Sequence, residues 1–186
     1  MRAFRAFSAS VAAIGFAVAG ASAAQADMTL TSDDITDGEP LTEAHVYNGF
    51  GCEGGNLSPA LSWSGAPEGT ESFAVTVYDP DAPTGSGWWH WTLFNIPAET
   101  TSLPTGVGVE APLPEGAVQG RTDFGGNAFG GACPPEGHGP HRYIFTVYAL
   151  PDESLPVDES ASGAMVGYFL QGGALDSASI TATYER

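Results

Sequence analysis

The chain has 186 residues, with 22 acidic side chains against five arginines and no lysine, a formal charge of −17 at pH 7. So few cations exclude an extended nucleic-acid footprint, which needs Lys or Arg for each phosphate neutralised, and oppose docking on anionic lipid. The acidity reads most simply as a solubility device, suited also to salty surroundings where repulsion is screened.

Arg2 and Arg5 precede an apolar run from Val11 to Ala19, and Ala24-Gln25-Ala26 sets small residues around a larger one. That order predicts a secretory signal peptide over residues 1–26, cleaved after Ala26, and a periplasmic or secreted location. The apolar run is too short to span a bilayer, so stable membrane insertion is not expected. Residues 27–186 would remain, a length that suits one domain, undivided by repeat, linker or low-complexity block. That part keeps three arginines against all 22 acidic residues, a formal −19.

The 25 glycines and 14 prolines are dispersed, as in a mainly β protein with frequent turns. Short strands are predicted near 28–35 and 57–63. Phe73 to Asp79 is β-branched and aromatic and stops at Pro80, and Trp88 to Ile96 stops at Pro97. Region 104–140 is rich in Gly and Pro and has little periodicity; such a stretch is usually functional or covalently tied. His141 to Leu150 is the strongest strand and ends at Pro151. Asp158, Glu159 and Ser160 predict the cap and acidic first turn of a helix. Ala161, Ala164, Met165, Tyr168 and Phe169 follow at helical spacing, and Gly172-Gly173 is the stop. A final short strand is predicted near 176–184. Cys52 and Cys133 make an even count, which in an exported chain points to a disulfide; a metal pair or two free thiols are the alternatives.

Side-chain alternation sorts the polar residues of these strands. His141, Tyr143, Phe145 and Val147 share one face of their strand. Trp88, His90 and Thr92 are expected to share a face opposite Trp89, Trp91 and Leu93. Asp79 and Asp81 stand two apart around Pro80. Each strand end therefore sets a polar residue beside an aromatic one, next to Gly/Pro-rich loops where pockets form. Singly, each has a plain structural reading: a hydrogen-bonded strand histidine, or a rigid Asp-Pro-Asp-Ala-Pro turn whose carboxylates accept backbone N–H groups.

Together they resemble a known family. Asp79-Pro-Asp-Ala-Pro83, Trp88-Trp-His-Trp91, Asn95-Ile-Pro97, Cys133-Pro-Pro-Glu-Gly137 and His141-Arg-Tyr-Ile-Phe-Thr-Val-Tyr148 are similar to the phosphatidylethanolamine-binding protein family. The nearer likeness is to its bacterial branch, the Raf-kinase-inhibitor-like YbhB/YbcL proteins. Asn56-Leu-Ser-Pro59 with Trp63, Ala161-Ser-Gly-Ala-Met165 and Ala178-Ser-Ile-Thr181 extend the resemblance over nearly all of 28–184. It implies a β-sandwich with a large central antiparallel sheet and a few peripheral helices. It also implies a pocket lined by Asp79, Asp81, Trp88, His90, Pro134, Pro135, His141 and Tyr143. His138, in Gly137-His-Gly-Pro-His141, is an added imidazole of unassigned role.

The chemistry expected there is capture of a small anion or phosphorylated head group, phosphate or phosphoethanolamine. His90 and His141 would supply N–H donors, Asp79 would orient a ring, and Trp88 and Tyr143 would form walls. No catalytic set is compelling: Gly85-Ser86-Gly87 reads as loop, and no lysine serves a phosphate-binding loop. His90, His141 and Asp79 match no metal-ligand spacing, so neither metal nor cofactor is expected. A non-catalytic binding protein is the reading. The alternatives are an inhibitor of serine proteases or another protein-interaction regulator, and a hydrolase using the Asp/His pocket. A homodimer is the default should the chain assemble.

Overall fold

The structure, a computed structural model, describes residues 27–186; the predicted signal peptide lies outside the described residues. In chain order the elements are β1 (Thr29–Thr31), β2 (Asn48–Gly49), β3 (Cys52–Glu53), β4 (Leu61–Ser64), β5 (Ser72–Asp79), β6 (Trp88–Pro97), β7 (Ser102–Leu103), β8 (Val118–Gln119), β9 (His141–Leu150), α1 (Gly163–Gly173) and β10 (Asp176–Tyr184). A five-stranded antiparallel sheet runs in the order β10-β9-β5-β6-β8, and β1-β4-β7 form a second, three-stranded sheet. The fold is mainly β, a sandwich built on a large antiparallel sheet, as the sequence predicts.

Burial explains why the long strands sit centrally. Val75, Val77, Trp91, Leu93, Phe145 and Val147 project from one face of the large sheet. They pack in one buried cluster with Leu30, Leu61, Trp63 and Leu103 of the small sheet. The opposite face is covered by α1, whose Val166 and Leu170 join Ala74, Phe94 and Leu150. Covered on both sides, β5 reads as a continuous apolar run rather than an alternating one.

Two predicted details change. In β6, Val77 pairs with Trp91 but Tyr78 pairs with Trp89, so His90 is the extra residue of a β-bulge. The bulge breaks simple alternation. Trp91 and Leu93 enter the core and His90 turns to the same side, while Trp89 faces α1 and Thr92 lies opposite Thr76 on the α1 side. A second shift between Phe73 and Val75 accompanies Asn95 at φ +59°. The helix also begins later than predicted. Ser162 is its cap, with Oγ accepting from the Met165 N–H at 3.3 Å, while Asp158 accepts from the Ser160 N–H at 2.9 Å in the preceding turn. The first turn accordingly holds no acidic residue, though the helix ends at Gly173 as expected.

Cys52 and Cys133 form a disulfide with their Cα atoms 6.0 Å apart. It ties the irregular stretch after β8 to the β2–β3 hairpin. Gly131 is required there, since a Cβ would meet the His45 carbonyl oxygen at 2.3 Å.

Candidate ligand-binding site

The site forms where β5 ends, β6 begins and β9 begins. Asp79 and Trp88 are register partners across β5 and β6, and the β5–β9 pairing brings His141 alongside. Asp79 is almost wholly buried, 3 % exposed. Its Oδ1 accepts the backbone N–H groups of Asp81 at 2.7 Å and Ala82 at 3.1 Å, which is the turn the local sequence predicts. Its Oδ2 accepts from His141 Nδ1 at 2.7 Å. Three hydrogen bonds hold this carboxylate.

Because a carboxylate only accepts, His141 carries a proton on Nδ1. Its Nε2 lies 2.7 Å from Nδ1 of His138, the imidazole whose role the sequence left open. In the neutral ring His141 Nε2 is a lone pair, and His138 is the donor. His90 is likewise committed: its Nδ1 donates to the Gly130 carbonyl at 2.7 Å. Burial pushes the His90 pKa down, against the opposing effects of the Gly130 and Gly131 backbone and the charges of Asp79 and Asp123. The neutral ring therefore carries its lone pair at Nε2. The expectation that these histidines offer N–H donors to a ligand is corrected: both Nδ1 protons serve protein acceptors.

The free donors are elsewhere. Trp88 Nε1 and the Tyr143 hydroxyl are buried without a hydrogen-bond partner. Burial raises the Tyr143 pKa, and the negative charge of Asp79 raises it further, so the hydroxyl keeps its proton. The Cys133 backbone N–H faces that oxygen and opposes the shift, without reaching the geometry of a full hydrogen bond.

The residues that carry these groups line a cavity of about 190 Å³. Of the residues predicted to line it, Asp79, Trp88, His90, Pro134, Pro135, His141 and Tyr143 do so. Asp81 does not. Past the end of β5 it turns outward and binds Arg142, accepting from Nε at 2.8 Å, from the second guanidinium nitrogen at 2.7 Å and from the backbone N–H at 3.0 Å. The Arg142 hydrogen bonds hold its pKa at about 2, against the effect of partial burial. Strand alternation does not survive the rigid Asp79-Pro80 turn.

The sequence reading missed Phe50, Ala82, Pro83, Thr84, Phe124 and Cys133. Phe124 sits 5.4 Å from Trp88, 5.3 Å from His90 and 4.2 Å from Tyr47, ring centre to ring centre. Phe50 is exposed at the lip, at φ +55°. Each is an aromatic set against glycines, Gly49 and Gly51 or Gly125 and Gly126, which is the signal that could have found them. Arg186 ties the lip together: it donates to the carbonyls of Pro134 at 2.6 Å, Gly51 at 3.1 Å and Phe50 at 3.4 Å. No lysine or arginine lines the cavity itself, and no cluster of three metal-ligating side chains occurs among the described residues.

A larger groove of about 840 Å³ lies between α1 and the sheet. It holds no histidine, and its one carboxylate, Asp176, accepts the Met28 N–H at 3.0 Å. Size alone is a poor guide here, because the Asp79–His141 pair and His90 line the smaller cavity, with two of the five residues that bury an unpartnered polar atom.

Comparison with known proteins agrees with this fold. The family model described as phosphatidylethanolamine-binding protein matches residues 31–185. The Escherichia coli proteins YbcL and YbhB, both described as UPF0098 proteins, are 61 % identical over 166 residues and 55 % identical over 158. These alignments cover 88 % and 84 % of this chain, and 91 % and 99 % of theirs. The crystal structure of Escherichia coli YbcL, described as a member of the mammalian PEBP family, superposes with a TM-score of 0.84. It covers 87 % of this chain and 99 % of that one. A phosphatidylethanolamine-binding protein homologue from Chlamydia trachomatis, 29 % identical, superposes at 0.71 over 86 % of this chain and 98 % of its own. The chain is thus a member of the phosphatidylethanolamine-binding protein family, close to YbcL and YbhB.

Proposed function

We propose that this chain is an exported binding protein whose pocket takes a small phosphorylated head group or a comparable oxyanion. The observation that carries this reading is the pair of buried, unpartnered donors, Trp88 Nε1 and the Tyr143 hydroxyl, on two residues that line one cavity with the Asp79–His141 pair. Buried donors cost free energy when left unpaired, so a site that keeps two is shaped for an acceptor from outside the fold. The cavity, about 190 Å³, is smaller than the roughly 300–1,000 Å³ that encloses a drug-sized ligand. A head group fits that volume better than a whole lipid. The family's name supports the ligand class.

Binding rather than turnover is supported by the state of the lining nucleophiles. Thr84 Oγ1 donates to the Gly87 carbonyl, and Cys133 is held in the disulfide. Export is supported by the signal-peptide pattern and by the disulfide, which persists in oxidising compartments.

Isothermal titration with phosphoethanolamine tests the reading. Binding is expected at millimolar ligand or below. Tyr143→Phe and Trp88→Phe should each weaken it about fivefold to twentyfold, the effect of one hydrogen bond. Asp81→Asn should leave affinity unchanged. No heat at millimolar ligand, or equal affinity in Tyr143→Phe and the parent, contradicts it.

A further inference from the structure

We propose that His138 is the proton port of the pocket: an anion entering the cavity draws one proton from solvent onto the His138–His141 pair, setting a positive charge beside Asp79. This rests on the reading of the cavity as an oxyanion site and names how that site is regulated.

The need for a proton follows from charge. No lysine or arginine lines the cavity, and Asp79 is its one carboxylate among the described residues. A phosphate brought there meets a like charge unless a cation forms nearby. Two lining side chains, His90 and His141, can become cations. Burial disfavours the charged form of His90. His141 is buried as deeply, yet it alone is linked to the surface, because its Nε2 lies 2.7 Å from Nδ1 of the exposed His138.

Asp79, His141 and His138 form one chain of hydrogen bonds, each 2.7 Å long, that ends at His138 Nε2. A proton added at that nitrogen lets the Nδ1 proton of His138 pass to His141 Nε2. His141 is then the imidazolium, donating to Asp79 and to His138 Nδ1. No hydrogen bond of the chain is lost, and no water has to reach the buried ring. A second proton is excluded, since two N–H groups would face each other across the same contact. Gly137 and Gly139 flank His138, and the Gly137 N–H donates to the backbone oxygen of Arg186 at 2.8 Å, which fixes the turn.

The neighbouring ionisable groups offer no competing site. Burial raises the pKa of Tyr143 and of Tyr184, the register partner of His141, so both keep their protons. Asp81 is paired with Arg142, and the Arg186 guanidinium serves backbone carbonyls. Glu136, exposed on the turn that carries His138, adds a negative charge that favours the same proton.

Glycerophosphoethanolamine is the probe, because its phosphodiester and ammonium keep their charges between pH 6 and 8. Titration calorimetry at pH 7.5, in two buffers of different ionisation heat, counts the protons. Uptake of about 0.5 to 1 per ligand is expected, with affinity rising about threefold to tenfold per pH unit from pH 8 to 6. His138→Ala should flatten that rise and at least halve the uptake. The same difference between parent and variant is expected with phosphoethanolamine, whose own proton is common to both. By NMR, the ring signals of His138 and His141 should titrate at higher pH in the complex than in the free protein. Binding with no net uptake and a flat pH profile overturns the proposal and leaves the oxyanion site standing. No heat with either ligand at millimolar concentration overturns both. A parent-like pH profile in His138→Ala, or a titration that moves at His90 alone, also sinks the proposal.

Discussion

Asp79 and Asp81 show how far two like residues can diverge across one proline. Asp79 is buried, accepts three hydrogen bonds and orients His141, whereas Asp81 faces outward in a bidentate pair with Arg142. With its folded-state pKa held at about 2, below the ordinary 3.8, Asp81 contributes stability above pH 3.8 that is lost as pH falls from 3.8 towards 2. The pair is partly exposed, so solvent screening keeps the effect small. Thermal melts of Asp81→Asn and the parent should differ at pH 5 to 7, with the variant less stable, and converge near pH 2. A gap that persists unchanged at pH 2 would show that the pair is not the cause. His138 belongs to the same scale. It lies between Gly137 at φ +72° and Gly139 at φ +89°, in a turn that brings its Nδ1 to His141.

Trp89 shows what the bulge does for a whole element. By turning outward it offers its indole to α1, where Gly163 and Gly167, one helical turn apart, leave room for it. A Cβ at Gly163 would approach the indole to 2.2 Å, and one at Gly167 to 3.0 Å. Alanine is worth about 1 kcal/mol over glycine in a helix interior, but overpacking costs about 1–3 kcal/mol. Gly163→Ala should therefore lower the melting temperature. Gly172→Ala, at an exposed site with no atom within 4 Å of the added Cβ, should raise it slightly. Both variants moving in the same direction would refute the packing account. The long strands were legible in the sequence because β-branched and aromatic runs stop at prolines 80, 97 and 151. The bulge was not, since an extra residue in β6 depends on its partner strand. Alternation still grouped Trp88 with His90, but placed Trp91 on the wrong face. For the helix, Asp158 is a cap by residue type, but its carboxylate serves the Ser160 N–H in the preceding turn and Ser162 caps the helix instead.

Across the whole molecule, two ties hold the lip of the pocket. The disulfide joins Cys52 to Cys133, and Arg186 spans the neighbouring carbonyls of Gly51 and Pro134. With a sequence separation of 81, the covalent tie is worth about 4 kcal/mol in the chain-entropy account. Its free energy falls where the backbone is least regular and the cavity needs a fixed wall. Seven of the eight residues expected at the site line that cavity. The aromatic lip was hidden because Phe50 and Phe124 lie in loops without periodicity. The chain's net negative charge favours a ligand of low charge over a polyanion. A crystal structure with saturating phosphoethanolamine tests the central claim most directly. The phosphorus should sit inside the cavity, with its oxygens within hydrogen-bond distance of Trp88 Nε1 and the Tyr143 hydroxyl. A ligand bound in the groove beside α1, or absent from the cavity at saturation, would contradict it.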